Sequence, residues 1–596
     1  MARSAPTRRA SGRASGAAAR ERTVQRAPAS TPRERLARAA PALAFGGVVA
    51  FYLALRTYQF HVSDSDENIY FYMALRTAFG GVSPYRDYFF AHPPLHLAFG
   101  VLALKLGALI EGARAMVDPA AWGDGGAALV TVKSIGLVAG ALGGVFVHRA
   151  VRRVAGGLEA WIAGTMFLLS PDLLHGFFTG VTEALMLSAL GLERVVAGRD
   201  RQAGLAFAAA CLVAMYAAPF GLAVWLVLLA RAPRRALSLA LWTAAPLLVV
   251  HGLFLLWAGR SYWESVFAYH LHKPKLGEGV LGHELLLMLR KSTLLVAAVP
   301  VAVVALGRGG PRSLRARLGE EPSAQLAASA LLGLVATLVF VGATRAVFHY
   351  YFVMLVLGAA PLAGLVYGGL LRRLAGLARA LRDFQRRPAP VATLAGAALG
   401  VAGLLASLLG GEALARLPAV RRTEIPDAAV GHTALRTWRS SATLGPLDGV
   451  VRALLWSDQE RLGDFYPIWT HFLWDATQSF EMSATFARYA REGLEPNATI
   501  FGEASLATAV ALQSGRRLAL DEADTNFMRW KSGITPAARF VERLRAAPPA
   551  LILFSVGDYM SMPDELRGWM ERDYESSFAN DARWLVYVVM RPRPPP

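Results

Sequence analysis

The sequence predicts a polytopic α-helical membrane protein with about eleven transmembrane helices, interfacial helices in its first outer loop and a C-terminal soluble α/β domain. Of the 596 residues, 54% are hydrophobic and only 18% are charged. The mean hydropathy is +0.37. The apolar residues gather in blocks close to the ~20 residues that a helix needs to cross ~30 Å of hydrocarbon. This composition and its blocks are typical of multi-spanning membrane proteins.

The chain begins with a basic tail, residues 1–38, which we predict to be disordered and cytoplasmic. It holds ten arginines against two glutamates and contains no apolar run of the kind that a signal peptide needs. The net charge of +19 does not indicate nucleic acid, because arginines that cluster between hydrophobic blocks follow the positive-inside rule. The single cysteine, Cys211, lies in an apolar block, which excludes a disulfide framework and a thiolate metal site.

A transmembrane domain is predicted over residues 39–410. Its basic connections should share the cytoplasmic side with the tail, so an even number of helices must separate successive basic segments. This rule requires that one apolar helix near the start of the chain does not cross the membrane. The weakest candidate for a span is 93–110, which we interpret as an interfacial or re-entrant helix within an outer loop of residues 59–126. The predicted spans are 39–58, 127–147, 158–173, 176–192, two within 203–230 that turn near Tyr216, 237–257, 285–306, 324–342, 346–369 and 390–410.

Residues 411–596 have a soluble composition and should form one domain on the outer, periplasmic face. Short apolar strands are predicted at 498–503, 516–520, 550–555 and 584–590, between helices at 475–494, 504–514, 536–547 and 563–572. That alternation is typical of an α/β domain. The segment contains no P-loop, GxGxxG or GxSxG motif, so it indicates no chemistry of its own.

The segment SDSDENIY at 63–70 places Asp64, Asp66 and Glu67 just beyond the outer end of the first span. Carboxylates beside hydrocarbon are costly unless they are solvated or used, so both a solvated loop and a site fit these residues. The Asp-x-Asp spacing of Asp64 and Asp66 is also an alternative divalent metal site, because hard cations prefer oxygen ligands.

From Asp66 the sequence reads DENIYFYMALRTAFGGVSPYRDYFFAHPPLHLAF. An Asp-Glu pair, a short amphipathic helix, the aromatic stretch DYFF and HPPL opening a second interfacial helix resemble the first outer loop of the superfamily C (GT-C) glycosyltransferases. The protein O-mannosyltransferases and the lipid A aminoarabinose transferase are the most similar group. The resemblance covers residues 40–370 in topology and 64–100 in motif.

This resemblance implies an inverting glycosyltransferase that takes a sugar from a polyprenyl-phosphate carrier at the outer face of a bacterial cytoplasmic membrane. The resemblance does not determine whether the acceptor is a lipid, a glycan or a protein. Such an enzyme belongs to the cell envelope, contacts membrane lipids and needs no cofactor. The mannosyltransferase-like branch generally works without metal.

The resemblance implies that Asp66 is the general base and that Glu67 is its partner. Lys133 stands where the mannosyltransferases place an arginine, although a lysine that snorkels to the interface is the alternative. Glu183 matches the position of a second acidic residue, with a satisfied polar side chain as the alternative. The outer-side candidates for binding the substrate or its phosphate are Arg86, His92, Lys133, Glu183, Lys273, Arg345, His349 and Tyr350, the last also fitting an aromatic belt.

Two other classes of function remain open from the residues alone. One is a transporter or flippase of a lipid-linked glycan, and the other is a non-enzymatic membrane scaffold. The span pattern shows no repeated halves, and the polar residues cluster on one face rather than at mid-membrane. Both observations favour the transferase.

Overall fold

The computed structural model describes residues 32–56, 59–170, 173, 179–275, 281–282, 285, 292–308, 310–344, 346, 349–383, 480–580 and 586–593. Most of the predicted tail, the predicted span 390–410 and the first part of the predicted C-terminal domain lie outside these residues. Within them, five helices are long and apolar enough to cross a membrane, or six if one bent pair is a single span. The chain is therefore a mostly helical, multi-span membrane protein, and the count of eleven crossings stays a prediction.

The helices of the membrane part follow one another closely along the chain. They are α1 (Pro32–Arg56), α2 (Glu67–Phe79), α3 (Pro94–Glu111), α4 (Ala113–Val117), α5 (Ala127–Val154), α6 (Gly157–Leu168), α7 (Val181–Val196), α8 (Asp200–Val213), α9 (Ala218–Arg231), α10 (Pro233–Ala258), α11 (Arg260–Trp263), α12 (Tyr269–His272), α13 (Thr293–Gly307), α14 (Gly310–Glu320), α15 (Pro322–Ala343) and α16 (Val353–Asp383). Short 3-10 turns cover Pro119–Trp122, Met215–Ala217 and His349–Phe352, and a π-helical turn covers Glu264–Ala268. The break predicted near Tyr216 is present between α8 and α9.

Two helices, α2 and α3, form the first outer loop and pack on each other and on α5. Leu109 and Ile110 of α3 are 82% and 79% exposed, as expected of side chains that meet lipid. By length and composition α3 is also able to cross a membrane. Its placement in the interface therefore stays a prediction.

An alkaline phosphatase reporter fused after residue 111 tests that placement. We expect an active fusion, because parity leaves Glu111 on the outer side if α3 does not cross. A fusion after residue 155, beyond the basic end of α5, should be inactive and serves as the control. An inactive reporter at 111 together with an active one at 155 would require a different topology.

The C-terminal domain is built on a five-stranded mixed sheet with the strand order β2-β1-β3-β5-β4. β1 pairs in parallel with β2 and β3, whereas β5 runs antiparallel to β3 and β4. The strands are β1 (Thr499–Gly502), β2 (Arg517–Leu518), β3 (Leu551–Ser555), β4 (Tyr574–Asn580) and β5 (Val586–Pro592), and the helices are α17 (Glu481–Gly493), α18 (Ala504–Ser514), α19 (Phe527–Lys531), α20 (Ala537–Ala546), α21 (Val556–Ser561) and α22 (Asp564–Asp573).

The sequence prediction of this domain missed β4. This strand reads YESSFAN and lies at the edge of the sheet, where its polar side chains face water and hide the apolar alternation. The predicted strand at 516–520 is also reduced to two residues, since Ala519–Asp521 form a 3-10 turn.

The domain packs directly on the first outer loop. One hydrophobic cluster contains Phe71 and Trp122 from the outer loop together with Leu506 and Val510 of α18. Burial of a shared apolar surface is the main favourable term in such docking. The cluster therefore fixes the C-terminal domain against α2.

Asp521 adds a polar clamp to this contact. Its Oδ1 accepts hydrogen bonds from the Tyr72 hydroxyl at 3.0 Å and from Arg76 Nε at 2.8 Å, both on α2. The Tyr72 hydroxyl in turn accepts from the Leu518 backbone N–H at 2.8 Å. Asp521 holds a positive φ of 55°, which is uncommon outside glycine, so its bonds to α2 must outweigh that local strain.

Asp521→Asn should weaken the docking of the C-terminal domain on α2. Loss of the charge removes the charge-assisted bond to Arg76, which we expect to lower the free energy of unfolding by about 1–3 kcal/mol. Thermal unfolding in detergent measures the change. Asp573→Asn, at a half-exposed ion pair with Arg545, is the matched control, and an equal loss in both variants would argue against the clamp.

Candidate active site

Asp66 lies at the N-cap position of α2, on the side of the membrane part where the C-terminal domain packs. Its side chain makes no capping hydrogen bond in the described helix, and the residue is half-buried. The carboxylate therefore remains available to a substrate. Burial raises the pKa of Asp66 to about 6, with further increases from the neighbouring Asp524 and Asp64 and an opposing decrease from Lys273.

Lys273, at the end of α12, is the cation that faces Asp66. Its Nζ lies 4.6 Å from the centre of the Tyr269 ring. Burial lowers the pKa of Lys273 to about 8, and Asp524 and Asp66 oppose that decrease. At neutral pH the site therefore holds an ionised carboxylate and an ammonium in the same partly dehydrated space.

Glu67, next to Asp66, points away from this space into a buried ion pair. Its Oε1 lies 2.6 Å from Lys133 Nζ, and the two side chains are 1% and 5% exposed. The Ser63 hydroxyl donates to the same oxygen, and Lys133 Nζ lies 3.5 Å from the Ser63 Oγ. Glu67 and Lys133 neutralise each other and fix the start of α2 against α5.

His92 belongs to a ring cluster beside Asp66. Its Nε2 lies 2.7 Å from the Tyr70 hydroxyl, and its ring centre is 5.9 Å from that of His96 and 6.2 Å from that of His270. Burial and the cationic forms of His96, His270 and Lys273 hold the pKa of His92 well below its ordinary value. His92 is therefore a neutral hydrogen-bonding group at physiological pH rather than a charge for a phosphate.

Tyr350 and Glu183 approach the same space from the membrane side. Tyr350 lies within electrostatic range of Asp66 and Tyr70. Glu183, in the first turn of α7, is 1% exposed, and both its oxygens lack a hydrogen-bond partner among the described residues. It lies within electrostatic range of Tyr216, which is itself close to Tyr350. Gly180, with φ +82°, precedes α7 and lies against His96, where a Cβ would meet the ring at 3.3 Å.

The remaining predicted candidates lie elsewhere or outside the description. The Arg86 guanidinium is exposed and lies 5.6 Å over the Trp257 ring. Arg345 lies outside the described residues, and of His349 only the backbone is described. Arg86 instead lines a cavity of about 370 Å³ between the first outer loop and the C-terminal domain, together with Arg529, Arg539 and Arg543.

No group of three or more His, Cys, Asp or Glu side chains in the described ranges is arranged to hold a metal ion. Asp64 is exposed, and its Oδ1 accepts from the Ser505 hydroxyl at 2.8 Å. Through that contact Asp64 helps to hold α18 against the first outer loop.

The chain is similar to known proteins in its fold and not in its sequence. No protein-family profile and no curated protein sequence matches the chain. The crystal structures of ArnT from Cupriavidus metallidurans, bound to undecaprenyl phosphate and in the apo state, are both similar with a TM-score of 0.55 at 16% identity. They cover 92% and 93% of this chain and 98% of ArnT. The chain therefore shares the fold of ArnT over most of its length.

The oligosaccharyltransferase of Archaeoglobus fulgidus in its apo form is similar at a lower level, with a TM-score of 0.48 and 13% identity over 91% of this chain and 74% of its own. The similarity to ArnT confirms, for the fold, the resemblance noted in the first outer loop. In this fold the segment after α12 contributes Lys273, and the C-terminal domain contributes Asp524, to the surroundings of Asp66.

Asp524 is the site residue that sequence reasoning missed. It lies after the 3-10 turn Ala519–Asp521, and burial raises its pKa, whereas Arg529 and Lys273 oppose that increase. The segment DEADTN at 521–526 was the available signal, since five of its six residues are polar or acidic. Its relation to Asp66 depends on domain docking, which no local pattern indicates.

Proposed function

We propose that the protein is a glycosyltransferase that moves a sugar from a polyprenyl-phosphate donor to an acceptor at the outer face of the cytoplasmic membrane. The observation that carries this proposal is the half-buried Asp66 carboxylate facing the Lys273 ammonium at the outer end of the membrane part. A base and a cation in one partly dehydrated space are what transfer from a phosphate leaving group requires.

Asp66 acts as the general base. The acceptor hydroxyl gives its proton to the carboxylate as its oxygen attacks the anomeric carbon from the face opposite the phosphate. The bond between that carbon and the phosphate oxygen breaks, and its electron pair leaves with the polyprenyl phosphate. A pKa of about 6 suits this step, because the carboxylate is ionised at pH 7 yet basic enough to accept a proton in the transition state.

Lys273 receives the charge that develops on the departing phosphate. Its pKa of about 8 keeps most of the ammonium protonated at neutral pH. In a partly dehydrated space such a cation stabilises the phosphate more than it would in water. Glu67 and Lys133 support the step indirectly, by holding the N-terminus of α2 and therefore Asp66 in place.

The donor class rests on the fold. ArnT, whose fold this chain shares over 92% of its length, was crystallised with undecaprenyl phosphate. The absence of Gly-rich phosphate loops in the sequence agrees with a lipid-linked donor, which needs no nucleotide pocket.

The protein reconstituted in vesicles with radiolabelled polyprenyl-phosphate sugars and a bacterial envelope extract tests the proposal. Label should appear in a new product while unglycosylated polyprenyl phosphate is released in equal amount. Label that only crosses the bilayer on an intact donor would support a flippase, and donor that is only bound would support a scaffold. Either result contradicts the transferase.

A further inference from the structure

We propose that the C-terminal domain completes the reaction centre through Asp524, a positioning residue that acts on both Asp66 and Lys273. The inference deepens the proposed function and rests on it, because it concerns the same transfer step. The domain would then be part of the catalytic unit and more than a platform for the acceptor. Three observations support it.

The first observation is how Asp524 is held. Glu522 Oε2 accepts from the Phe89 backbone N–H at 3.3 Å and from Arg529 Nη1 at 2.8 Å, and this ion pair is buried. Arg529 Nη1 also donates to the Asp524 carbonyl at 3.0 Å. The Asp524 backbone is thus fixed to the first outer loop through buried, charge-assisted bonds, which are about twice as strong as neutral ones.

The second observation is that rings connect this loop to Lys273. The Arg529 guanidinium lies 4.4 Å from the centre of the Phe89 ring, and Phe89 packs edge-on against Tyr269 at 5.2 Å. Tyr269 in turn lies under the Lys273 ammonium. The carboxylate of Asp524 and the ammonium of Lys273 are therefore set on one continuous, packed surface.

The third observation concerns the two carboxylates of the centre. Asp521 and Glu522 form ion pairs with arginines, whereas Asp524 and Asp66 form none within 4.0 Å among the described residues. Both carboxylates are half-buried. Both lie within electrostatic range of Lys273, so each of the three groups affects the charge of the others.

Other groups also lie within electrostatic range of these three side chains and are the same residues in every variant compared below. The charged neighbours are Asp64, Glu522, Arg529 and Asp558. Asp558 itself has a pKa raised to about 6, so it titrates on the acidic side of the profile in wild type and variant alike. The titratable rings are Tyr70, Tyr269, Tyr350, Tyr351, His92 and His270. The tyrosines outside the membrane part have pKa values well above 10, and both histidines have pKa values below the ordinary range. These rings therefore stay neutral between pH 5 and 9, the range in which Asp66 and Lys273 gain or lose a proton.

The sign of the effect follows from electrostatics. The negative charge of Asp524 makes ionised Asp66 less favourable and protonated Lys273 more favourable, so it raises the pKa of both. Asp524→Asn removes that charge and keeps the shape of the side chain. Both pKa values should then fall together, which a purely structural role would not produce.

The experiment is the pH profile of kcat/KM for transfer from the radiolabelled polyprenyl-phosphate sugar. Wild-type activity should rise near pH 6 and fall near pH 8, and Asp524→Asn should shift both limbs to lower pH by about one unit. Asp524→Glu should restore the wild-type limbs. Asp564→Asn, at an exposed carboxylate of α22, should leave them in place. Limbs that do not move in Asp524→Asn, while Asp66→Asn is inactive, overturn this inference and leave the proposed function standing.

A binding measurement separates the two proposals further. The probe is undecaprenyl phosphate titrated into the protein in nanodiscs, at pH 6.5 and pH 8. The affinity of Asp524→Asn relative to wild type should be lower at pH 8 than at pH 6.5, because Lys273 loses its proton earlier, whereas the lessened repulsion of the phosphate acts at both pH values. Lys273→Met should bind it weakly at both. The same relative affinity of Asp524→Asn at pH 6.5 and pH 8 overturns the inference whether or not a sugar is transferred.

Discussion

Asp66→Asn should lower kcat for sugar transfer by about 10²–10⁴-fold, the usual contribution of a positioned general base. The amide keeps the size of the side chain but cannot accept the proton of the acceptor hydroxyl. The affinity for undecaprenyl phosphate should change little or rise, because removal of a carboxylate lessens repulsion of the phosphate. Steady-state transfer with a radiolabelled donor and the binding titration measure the two effects separately.

The matched control for this variant is Asp64→Asn, two residues earlier. Asp64 is exposed and bonds to Ser505 of α18, so its loss should affect transfer far less than the loss of Asp66. If the two aspartates instead formed a divalent metal site, both variants would lose activity alike and added metal would change the rate. Equal losses that depend on metal would therefore replace the base with a metal mechanism.

The pH dependence provides an independent check on Asp66. A base works in its deprotonated form, and the pKa of Asp66 is raised to about 6. The value of kcat/KM should therefore fall about tenfold per pH unit below pH 6 and level off above pH 6, until the loss of the Lys273 proton lowers it again near pH 8. A profile that is flat from pH 5 to pH 7 would mean that another group accepts the proton.

The sequence was sufficient for the parts of the site that local patterns record. The Asp-Glu pair, the two helices of the first outer loop and the HPPL start of α3 all follow from residues 64–100, where spacing and helix-start chemistry act over a few residues. β1 and β3 were also predicted, because they are short apolar runs bounded by polar turns.

The sequence was insufficient where the site depends on contacts between distant segments. Glu67 and Lys133 were both singled out, yet their ion pair depends on how α2 packs on α5, which charge patterning in either helix alone does not determine. Asp524 is a stronger case, since it reaches Asp66 only after the C-terminal domain has docked on α2. Hydrophobic pattern predicts that such surfaces are buried, but not which surfaces meet.

Lys133→Met should lower the free energy of unfolding by about 3–5 kcal/mol, because it leaves the Glu67 carboxylate buried without a counter-ion. Thermal or denaturant unfolding in detergent measures this loss. Lys105→Met is the matched control, since Lys105 is exposed and lies over the Phe79 ring. A comparable loss at Lys105, or none at Lys133, would contradict the buried ion pair.

The double variant Glu67→Gln with Lys133→Met then decides between the two roles open to Lys133. It removes both charges and should recover most of the stability, because no unpaired charge is then buried. If transfer recovers along with stability, Lys133 acts only by holding the start of α2 and therefore Asp66. If stability recovers but transfer does not, Lys133 leaves Glu67 during the reaction and binds the phosphate itself. Since Asp66 is the residue next to Glu67, we expect the first outcome.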